Sequence, residues 1–296
     1  MLGGRAGGAR VSPPRRRPPP PGAGRGGRRP GRPRPEPGRT ARAGPRDLGG
    51  TQVEGRQAVR ELLLAGRRRV RDVWLADDLD PAAVIEEIVE LAGDLRVSVR
   101  RVPRARLELE AHTEAPQGVL AHAAPLPEAD FDELCRGDGR TPFLVVLDGV
   151  TDPRNLGAVL RSAEGSGATG AVLARHRAAH VSPAVTKAAA GAVEHLPIAV
   201  VGGVPAALAR ARELGVWVVG LDAAGARPVH DLPMATDPLA LVLGSEGRGL
   251  GRLTRERCDE VAAIPLRGRL ASLNVAAAAA VACFEVARQR VPRSAS

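Results

Sequence analysis

The chain has 296 residues, of which 44% are hydrophobic and 26% are charged, and its formal net charge at pH 7 is +10. This apolar content supports a sizeable core, while the sequence has neither an apolar run of membrane-spanning length nor the apolar core of a signal peptide. Cys135, Cys258 and Cys283 stand singly and the six histidines lack ligand spacing, which argues against a disulfide framework and a zinc site. We therefore expect a cytoplasmic protein without a metal or a membrane segment.

Residues 1–50 form a tail whose composition differs from that of the rest. The tail holds 13 arginines against only Glu36 and Asp47, so it carries a charge of +11 while the remainder is near neutral, about −1. A segment so rich in Arg, Pro and Gly cannot bury a core and is predicted to be disordered. Two interpretations stay open: an arm that binds RNA phosphates, and a solubilising tail or a translated leader upstream of the true start.

Ordered sequence is expected from about residue 51, where Val59, Leu62 and Leu63 share one face of a predicted helix that ends at Gly66. The elements predicted next are a strand at 69–76, a helix at 81–93 and strands at 96–102 and 117–126. Residues 51–126 are thus predicted to form a small α/β domain. A linker, 127–141, with a short helix from Asp130 to Cys135 joins it to the second domain, 142–296.

In the second domain, strands and helices alternate. The predicted strands are 143–149, 170–174, 198–201, 216–221, 239–243 and 260–266, and the predicted helices are 154–165, 183–195, 205–214 and 271–290. Strand runs such as FLVVL and LALVL are apolar on both faces, which is typical of a mostly parallel sheet covered by helices on both sides. Ligands bind such sheets beyond the carboxyl ends of the strands.

Three motifs fall at those ends, and the first opens the predicted helix 154–165. Asp152 can cap this helix and Pro153 suits its first position, which places Asn155 in the first turn and Arg161 six residues further on. An arginine at the ligand edge of a sheet can bind a phosphate through two hydrogen bonds. From its spacing alone, however, a surface position on an amphipathic helix is the favoured explanation of Arg161.

The second motif, Gly-Ser-Glu-Gly-Arg-Gly at 244–249, directly follows a strand. Its glycines allow close approach of the backbone to a ligand, although the motif fits neither the dinucleotide-binding nor the Walker pattern. A plain glycine turn with a solvated Glu246 is the alternative.

The third motif, 271–274, opens the long helix 271–290, and Ser272 suits its N-cap. The alanine run 276–280 permits close packing, and we interpret it as a contact with another subunit. Lys187 and Glu194 lie seven residues apart in a predicted helix and are interpreted as a solvated face.

In this order, N-x-G-x-x-x-R, G-x-E-G-x-G and I-P-L followed by S-L-N resemble the signature of the SpoU-type (TrmH-like) RNA ribose 2′-O-methyltransferases over about residues 143–291. Upstream, VEGRQAVRELL and QGVLA resemble the ribosomal-protein-like RNA-binding domain of the subgroup that methylates a guanosine of 23S rRNA. The resemblance covers both predicted domains and leaves out the tail.

The resemblance implies a deep trefoil knot (the SPOUT type of α/β fold) in the C-terminal domain, S-adenosylmethionine as methyl donor, an RNA substrate and a homodimer with active sites at the subunit interface. The catalytic residues it implies are Arg161, Asn155, Glu246, Ser272 and Asn274. The residues it implies for cofactor binding are Gly244, Ile264, Leu266, Leu273 and Asn274. Arginine stays protonated in proteins and is a poor general base. We therefore expect Arg161 to position the ribose 2′-hydroxyl or stabilise its developing alkoxide while a phosphate assists proton removal.

Other functions stay open at this point. The same chemistry could act on tRNA or on an rRNA site that confers antibiotic resistance, and a non-catalytic RNA-binding factor for ribosome assembly could use a degenerate form of the fold. An ordinary nucleotide-binding α/β enzyme is disfavoured because the phosphate-loop signatures are missing. Two departures from the family pattern are the five alanines 276–280 and the absence of a histidine before Gln117.

Overall fold

The computed structural model describes residues 48–176 and 178–291. This part of the chain contains two sheets: a small sheet of four strands within residues 52–123 and a large sheet of seven strands within residues 143–263. The disorder predicted for the tail, 1–50, concerns residues that lie almost wholly outside the described ranges. Among the described residues, no helix is both long and apolar enough to cross a membrane.

The small sheet has the strand order β1-β4-β2-β3, with β4 antiparallel to both of its neighbours. Its elements are β1 Gln52–Glu54, α1 Arg56–Ala65, β2 Val70–Ala76, α2 Ala83–Asp94, β3 Ser98–Val102, α3 Arg104–Glu110 and β4 Val119–Ala123. The predicted apolar face of α1 is confirmed, because Val59, Leu62 and Leu63 are buried in the core that α1 and α2 share with the sheet. The sequence did not predict β1 and α3, which are too short to display a period.

The large sheet is parallel throughout and has the strand order β7-β6-β5-β10-β8-β11-β9. Its strands are β5 Phe143–Asp148, β6 Gly170–Ala174, β7 Ile198–Val201, β8 Trp217–Leu221, β9 Arg227–Pro228, β10 Leu239–Gly244 and β11 Glu260–Ala263. The helices are α4 Phe131–Arg136 before the sheet, then α5 Pro153–Gly165, α6 Pro183–Ala188, α7 Val204–Glu213, α8 Arg252–Arg257 and α9 Val275–Arg290.

Both faces of the large sheet are buried, as the apolar strands predicted. Along β5, Val145 and Leu147 pack in the core that includes α5 and α9, while Leu144 and Val146 pack in the core that includes α7. Successive residues of a strand point to opposite faces, so this division means that helices cover both sides. The predicted α/β class with a mostly parallel, doubly covered sheet is confirmed.

Helix α5 begins as its sequence predicted and packs tightly against its neighbours. Asp152 Oδ2 accepts a hydrogen bond from the backbone N–H of Asn155 at 3.0 Å. A Cβ at Gly157 would lie 2.5 Å from the Cβ of Ala188 on α6, so a larger residue would force the two helices apart. On the other side α5 packs along α9.

The final helix departs from two expectations. It begins at Val275, and Asn274 caps it by accepting a hydrogen bond from the backbone N–H of Ala276 at 2.8 Å. The prediction of Ser272 as N-cap was therefore wrong, because the amide side chain two residues later makes the bond. Ala279, within the alanine run, has no exposed surface and packs in the core of its own chain, so this position is not available to another subunit.

The predicted helix 183–195 is also shorter than expected. α6 ends at Ala188, and a 3₁₀ turn occupies Ala192–Glu194. Between them Ala190 and Gly191 have positive φ angles of 50° and 86°, which a continuous right-handed helix does not allow. The interpretation of Lys187 and Glu194 as one solvated face was wrong, since they lie on different elements.

Glu194 is instead part of a buried ion pair between the two sheets. Its Oε1 lies 2.9 Å from Nη1 of Arg68, which follows α1, and neither side chain has exposed surface. Burial raises the pKa of Glu194, while the charge of Arg68 acts in the opposite direction. Arg68 also donates to the carbonyl oxygens of Gly50 and Ala124, so its guanidinium holds three segments together.

We expect Arg68→Met to lower the free energy of unfolding by about 3–5 kcal/mol, because the buried carboxylate then loses its counter-charge. The loss should shrink on acidification. In the variant, the pKa of Glu194 in the folded state would lie even further above its value in the unfolded chain. The folded variant therefore binds the proton at a higher pH than the unfolded chain does, and it gains stability as the pH falls through that pKa. Urea denaturation at about pH 8 and about pH 5 measures both effects.

The matched control is Arg252→Met, which removes an exposed pair with Glu256 at 2.8 Å and should cost about 1 kcal/mol or less. Equal losses for Arg68→Met at the two pH values would show that the charge of Glu194 does not cause the destabilisation.

Candidate functional site

The first two motifs leave neighbouring strands of the large sheet. β5 and β10 pair in parallel as far as Asp148 and Gly244, so the loops that follow them emerge side by side at the carboxyl edge. The third motif lies in the segment that connects β11 to α9. The fold thus brings three segments that are remote in sequence to one edge of the sheet.

The second motif forms a tight turn after β10. Ser245 and Gly249 exchange backbone hydrogen bonds of 3.0 Å and 2.9 Å, and Gly247 and Gly249 have positive φ angles. A Cβ at Gly244 would lie 2.2 Å from the backbone carbon of Gly249. The turn itself therefore requires these glycines, and it projects Glu246 from its tip.

Glu246 connects all three motifs. Its Oε1 accepts a hydrogen bond from Asn155 Nδ2 at 2.6 Å and another from Asn274 Nδ2 at 2.8 Å. Asn274 Nδ2 also lies 3.2 Å from Oδ1 of Asn155. This network, hereafter the Asn–Glu–Asn network, joins the start of α5, the turn after β10 and the start of α9.

A cleft of about 540 Å³ lies beside the network. Its lining includes all five residues expected to hold a cofactor, namely Gly244, Ile264, Leu266, Leu273 and Asn274, together with Glu246 and Ser272 from the expected catalytic set. Aliphatic side chains in the wall of the cleft come also from Leu221, Leu243 and Val275. The described residues contain no group of three or more His, Cys, Asp or Glu that could hold a metal ion.

Asp222 is a cleft residue that the sequence reasoning missed. It directly follows β8 and is mostly buried, with its carboxylate 3.2 Å from Nη1 of Arg255 and accepting a 2.9 Å hydrogen bond from the backbone N–H of Ala224. The sequence could have predicted Asp222 as a site residue, because it is an acidic residue at the carboxyl end of an apolar strand and ligands bind parallel sheets at that end.

Arg161 and Asn155 do not line the cleft of their own chain. Asn155 borders it through the Asn–Glu–Asn network, but Arg161 lies six residues further along α5, which is about 9 Å of helix rise. Its side chain is exposed. Within the described ranges the side chain of Arg161 makes no hydrogen bond and no ion pair.

Four further arginines on the motif segments share this property: Arg154, Arg248, Arg267 and Arg269 are exposed and lack an acidic partner among the residues described. Among the described residues of the part that folds around the large sheet (131–290, the large-sheet unit), Arg140, Arg257 and Arg290 also lack a carboxylate partner. Most arginines of this unit outside the motifs are paired with a carboxylate. Arg210, for example, lies 2.6 Å from Asp132, and Arg252 lies 2.8 Å from Glu256. The carboxyl edge therefore presents positive charge that no carboxylate of the described residues neutralises.

Comparison with known proteins agrees with this geometry. The SpoU rRNA methylase family matches residues 142–284, and a family described as RNA 2′-O ribose methyltransferase substrate binding matches residues 52–129. The 23S rRNA (guanosine-2′-O-)-methyltransferase RlmB of Pseudomonas putida is 37% identical over 243 residues, covering 81% of this chain and 96% of that protein. Its Pseudomonas aeruginosa counterpart is 38% identical over 246 residues, covering 81% of this chain and 97% of that protein.

Solved structures share the fold. The SpoU methyltransferase AviRb from Streptomyces viridochromogenes, in complex with AdoMet, has a TM-score of 0.68 at 28% identity, covering 82% of this chain and 91% of that one. The AdoMet-bound rRNA methyltransferase from Sinorhizobium meliloti has a TM-score of 0.66 at 25% identity, covering 81% and 87%. With the three motif segments meeting at one edge of the sheet and relatives matched over nearly their whole length, this chain belongs to the SpoU rRNA methylase family.

Proposed function

We propose that this protein transfers a methyl group from S-adenosylmethionine to the ribose 2′-hydroxyl of a guanosine in 23S rRNA. The observation that carries the proposal is the Asn–Glu–Asn network, which joins the three motifs beside a cleft of cofactor size. The RlmB relatives, matched over 96–97% of their length, support the substrate. The matched substrate-binding segment, 52–129, supports an RNA partner.

The cleft suits S-adenosylmethionine. A volume of about 540 Å³ lies within the usual range for small-ligand sites, and such sites are mostly apolar with a few placed polar groups. Here the aliphatic walls include Ile264, Leu266 and Leu273, and the polar groups include Asp222 and the network. When bound, the cofactor supplies an electrophilic methyl group.

The protein's own residues would hold the reacting ribose. Glu246 keeps the amides of Asn155 and Asn274 in fixed orientations, so the wall of the cleft is preorganised. Arg161 carries a permanent positive charge and would stabilise the alkoxide that forms as the 2′-hydroxyl loses its proton. A phosphate of the RNA would assist removal of that proton.

The unpaired arginines support binding of RNA at this edge. Because no carboxylate of the described residues competes for Arg154, Arg267 and Arg269, each can neutralise a phosphate, and release of condensed counterions would favour the complex. The chain has two Trp, three Phe and no Tyr, so phosphate and shape contacts would outweigh base stacking.

The position of Arg161 supports a homodimer. It is exposed and lies outside the cleft of its own chain, so it would complete the site of a second copy. The outer face of α9 carries Val281 and Phe284, which are 46% and 52% exposed and would suit a subunit contact. We also infer a trefoil knot in the domain 142–296, a substrate-binding domain at 51–126, a linker at 127–141 and a cytoplasmic location in bacteria.

The direct test compares 2′-O-methylation of 23S rRNA in cells with and without the gene. We expect one guanosine to lose its methyl group on deletion and to regain it when the gene is restored. Unchanged 23S rRNA together with a lost methyl group in tRNA would assign the same chemistry to tRNA. Unchanged methylation of all RNA would favour a non-catalytic role.

We expect Arg161→Ala to lower methyl transfer by at least about 100-fold, because the developing alkoxide loses its stabilising charge. Binding of S-adenosylmethionine, measured by calorimetry, should stay close to that of the unchanged protein. Arg257→Ala is a suitable control because Arg257 is an exposed arginine of α8 outside the motifs. A comparable loss of cofactor binding in Arg161→Ala would place Arg161 in the cofactor site instead.

Heterodimers test whether Arg161 acts on the partner's cleft. Glu246→Ala and Arg161→Ala should each be inactive as homodimers. In a heterodimer of the two, one site receives both changes and the other receives neither, so about half of the activity per dimer should return. Co-expression with two different affinity tags isolates this species. Heterodimers as inactive as the homodimers would show that Arg161 acts within its own chain.

A further inference from the structure

Lys187 links the large-sheet unit to the part of the chain that folds around the small sheet, residues 52–123, hereafter the small-sheet unit. It lies on α6, and its Nζ donates hydrogen bonds to Oγ1 of Thr113, at 3.2 Å, and to the carbonyl oxygen of Ala115. Both acceptors belong to the segment between α3 and β4. The contact therefore joins two segments that lie more than 70 positions apart in the chain.

The segment that Lys187 holds is itself fixed by a buried carboxylate. Glu54 has no exposed surface, and it accepts hydrogen bonds from the backbone N–H groups of His112 and Thr113 at 2.6 Å and 3.0 Å. Glu54 also accepts hydrogen bonds from the Thr113 hydroxyl and from Gln52 Nε2. Because a hydroxyl has one proton and that proton goes to Glu54, the Thr113 oxygen is free to accept from Lys187.

Lysine suits this position in a way that arginine does not. Lys187 is the single lysine in a chain whose Lys and Arg total 43. The aliphatic part of the Lys187 side chain runs past Gly55: a Cβ added to that glycine would lie 3.7 Å from Cγ of Lys187. A compact ammonium can direct its donors to two acceptors at the end of this passage, whereas a planar guanidinium is larger and has a fixed fork.

Two other links join the same two units. The Arg68–Glu194 pair is fully buried, and His195 Nε2 lies 2.8 Å from Oε2 of Glu61 on α1. A Cβ at Gly191 would lie 2.5 Å from the Cβ of Glu61, so the two units are also in close steric contact here. We call residues 187–195 together with their partners on the small-sheet unit the junction.

The connecting segment adds to this rigidity. The backbone N–H of Ala129 donates to the carbonyl oxygen of Ile198 on β7 at 2.9 Å, and Leu134 of α4 packs over Gly170 of β6. The path from the small sheet to the large one is thus bound to the large sheet rather than free in solvent.

We infer that the junction holds the substrate-binding segment at a fixed position relative to the cleft, and that Lys187 is a positioning residue for the RNA. This inference rests on the proposed function. With the two units fixed, the RNA element bound by the small unit sets which ribose reaches the cleft. Loosening the junction would leave each unit intact and would impair the choice and the capture of the target.

The test uses full-length Lys187→Gln, which removes the charge and shortens the reach of the side chain. We expect kcat/KM for the RNA to fall about tenfold or more, as for loss of a charge-assisted hydrogen bond, with methylation spreading to neighbouring riboses. Affinity for S-adenosylmethionine should not change. Spin labels at Leu109→Cys and Leu253→Cys, positions that are 88% and 55% exposed, should show a broader distance distribution than in the unchanged junction.

Two further variants make the test specific. Arg252→Gln also removes one cation, from an exposed pair with Glu256 on α8, and should leave every readout unchanged. Thr113→Val removes one of the two acceptors of Lys187 and also the hydroxyl that donates to Glu54, so the effect of the double variant with Lys187→Gln should be smaller than the sum of the two single effects.

An unchanged distance distribution and an unchanged methylation site in Lys187→Gln would overturn the inference. A parallel loss of thermal stability and cofactor affinity would overturn it as well, because Lys187 would then be a general stability residue. If the unchanged protein methylates no RNA, the proposed function fails, while the label distances still test the junction.

Discussion

The carboxylate of Glu246 is the contact on which the site depends. It accepts hydrogen bonds from two asparagines, Asn155 and Asn274, that belong to separate motifs. Each asparagine lies at the start of a helix, and Asn274 also caps α9, so one acidic group fixes two helix starts relative to the turn after β10. A charged acceptor makes such hydrogen bonds stronger than neutral ones, which suits a wall that must keep its shape while substrates bind and leave.

The pairing of charge distinguishes the motif segments from most of the rest of the large-sheet unit. Away from the motifs, arginines such as Arg210 and Arg288 lie within 2.7 Å of a carboxylate and have little capacity left for a polyanion. On the motif segments, Arg154, Arg267 and Arg269 have no such partner among the described residues. A body that is near neutral overall can therefore still present a positive edge, because pairing rather than net charge decides which side chains are free.

Several features of the fold could be predicted from the sequence because they follow from local rules. Apolar runs such as FLVVL predicted strands buried on both faces, and Asp152-Pro153 predicted the start of α5. Short elements such as β1, α3 and β9 were missed, since two to seven residues do not establish a period. The helix 183–195 was predicted too long, because the positive φ angles at Ala190 and Gly191 arise where the chain meets α1.

By itself the sequence determined the family and the identities of the motif residues, because these are carried by the order and spacing of side chains along the chain. Tertiary structure decided which of those residues share a site. The hydrogen bonds of the Asn–Glu–Asn network join positions up to 119 apart, and the junction joins Arg68 to Glu194 across 126 positions. Only the packed sheets bring such groups within hydrogen-bonding distance, and burial then turns Glu194 from an expected surface charge into half of an ion pair.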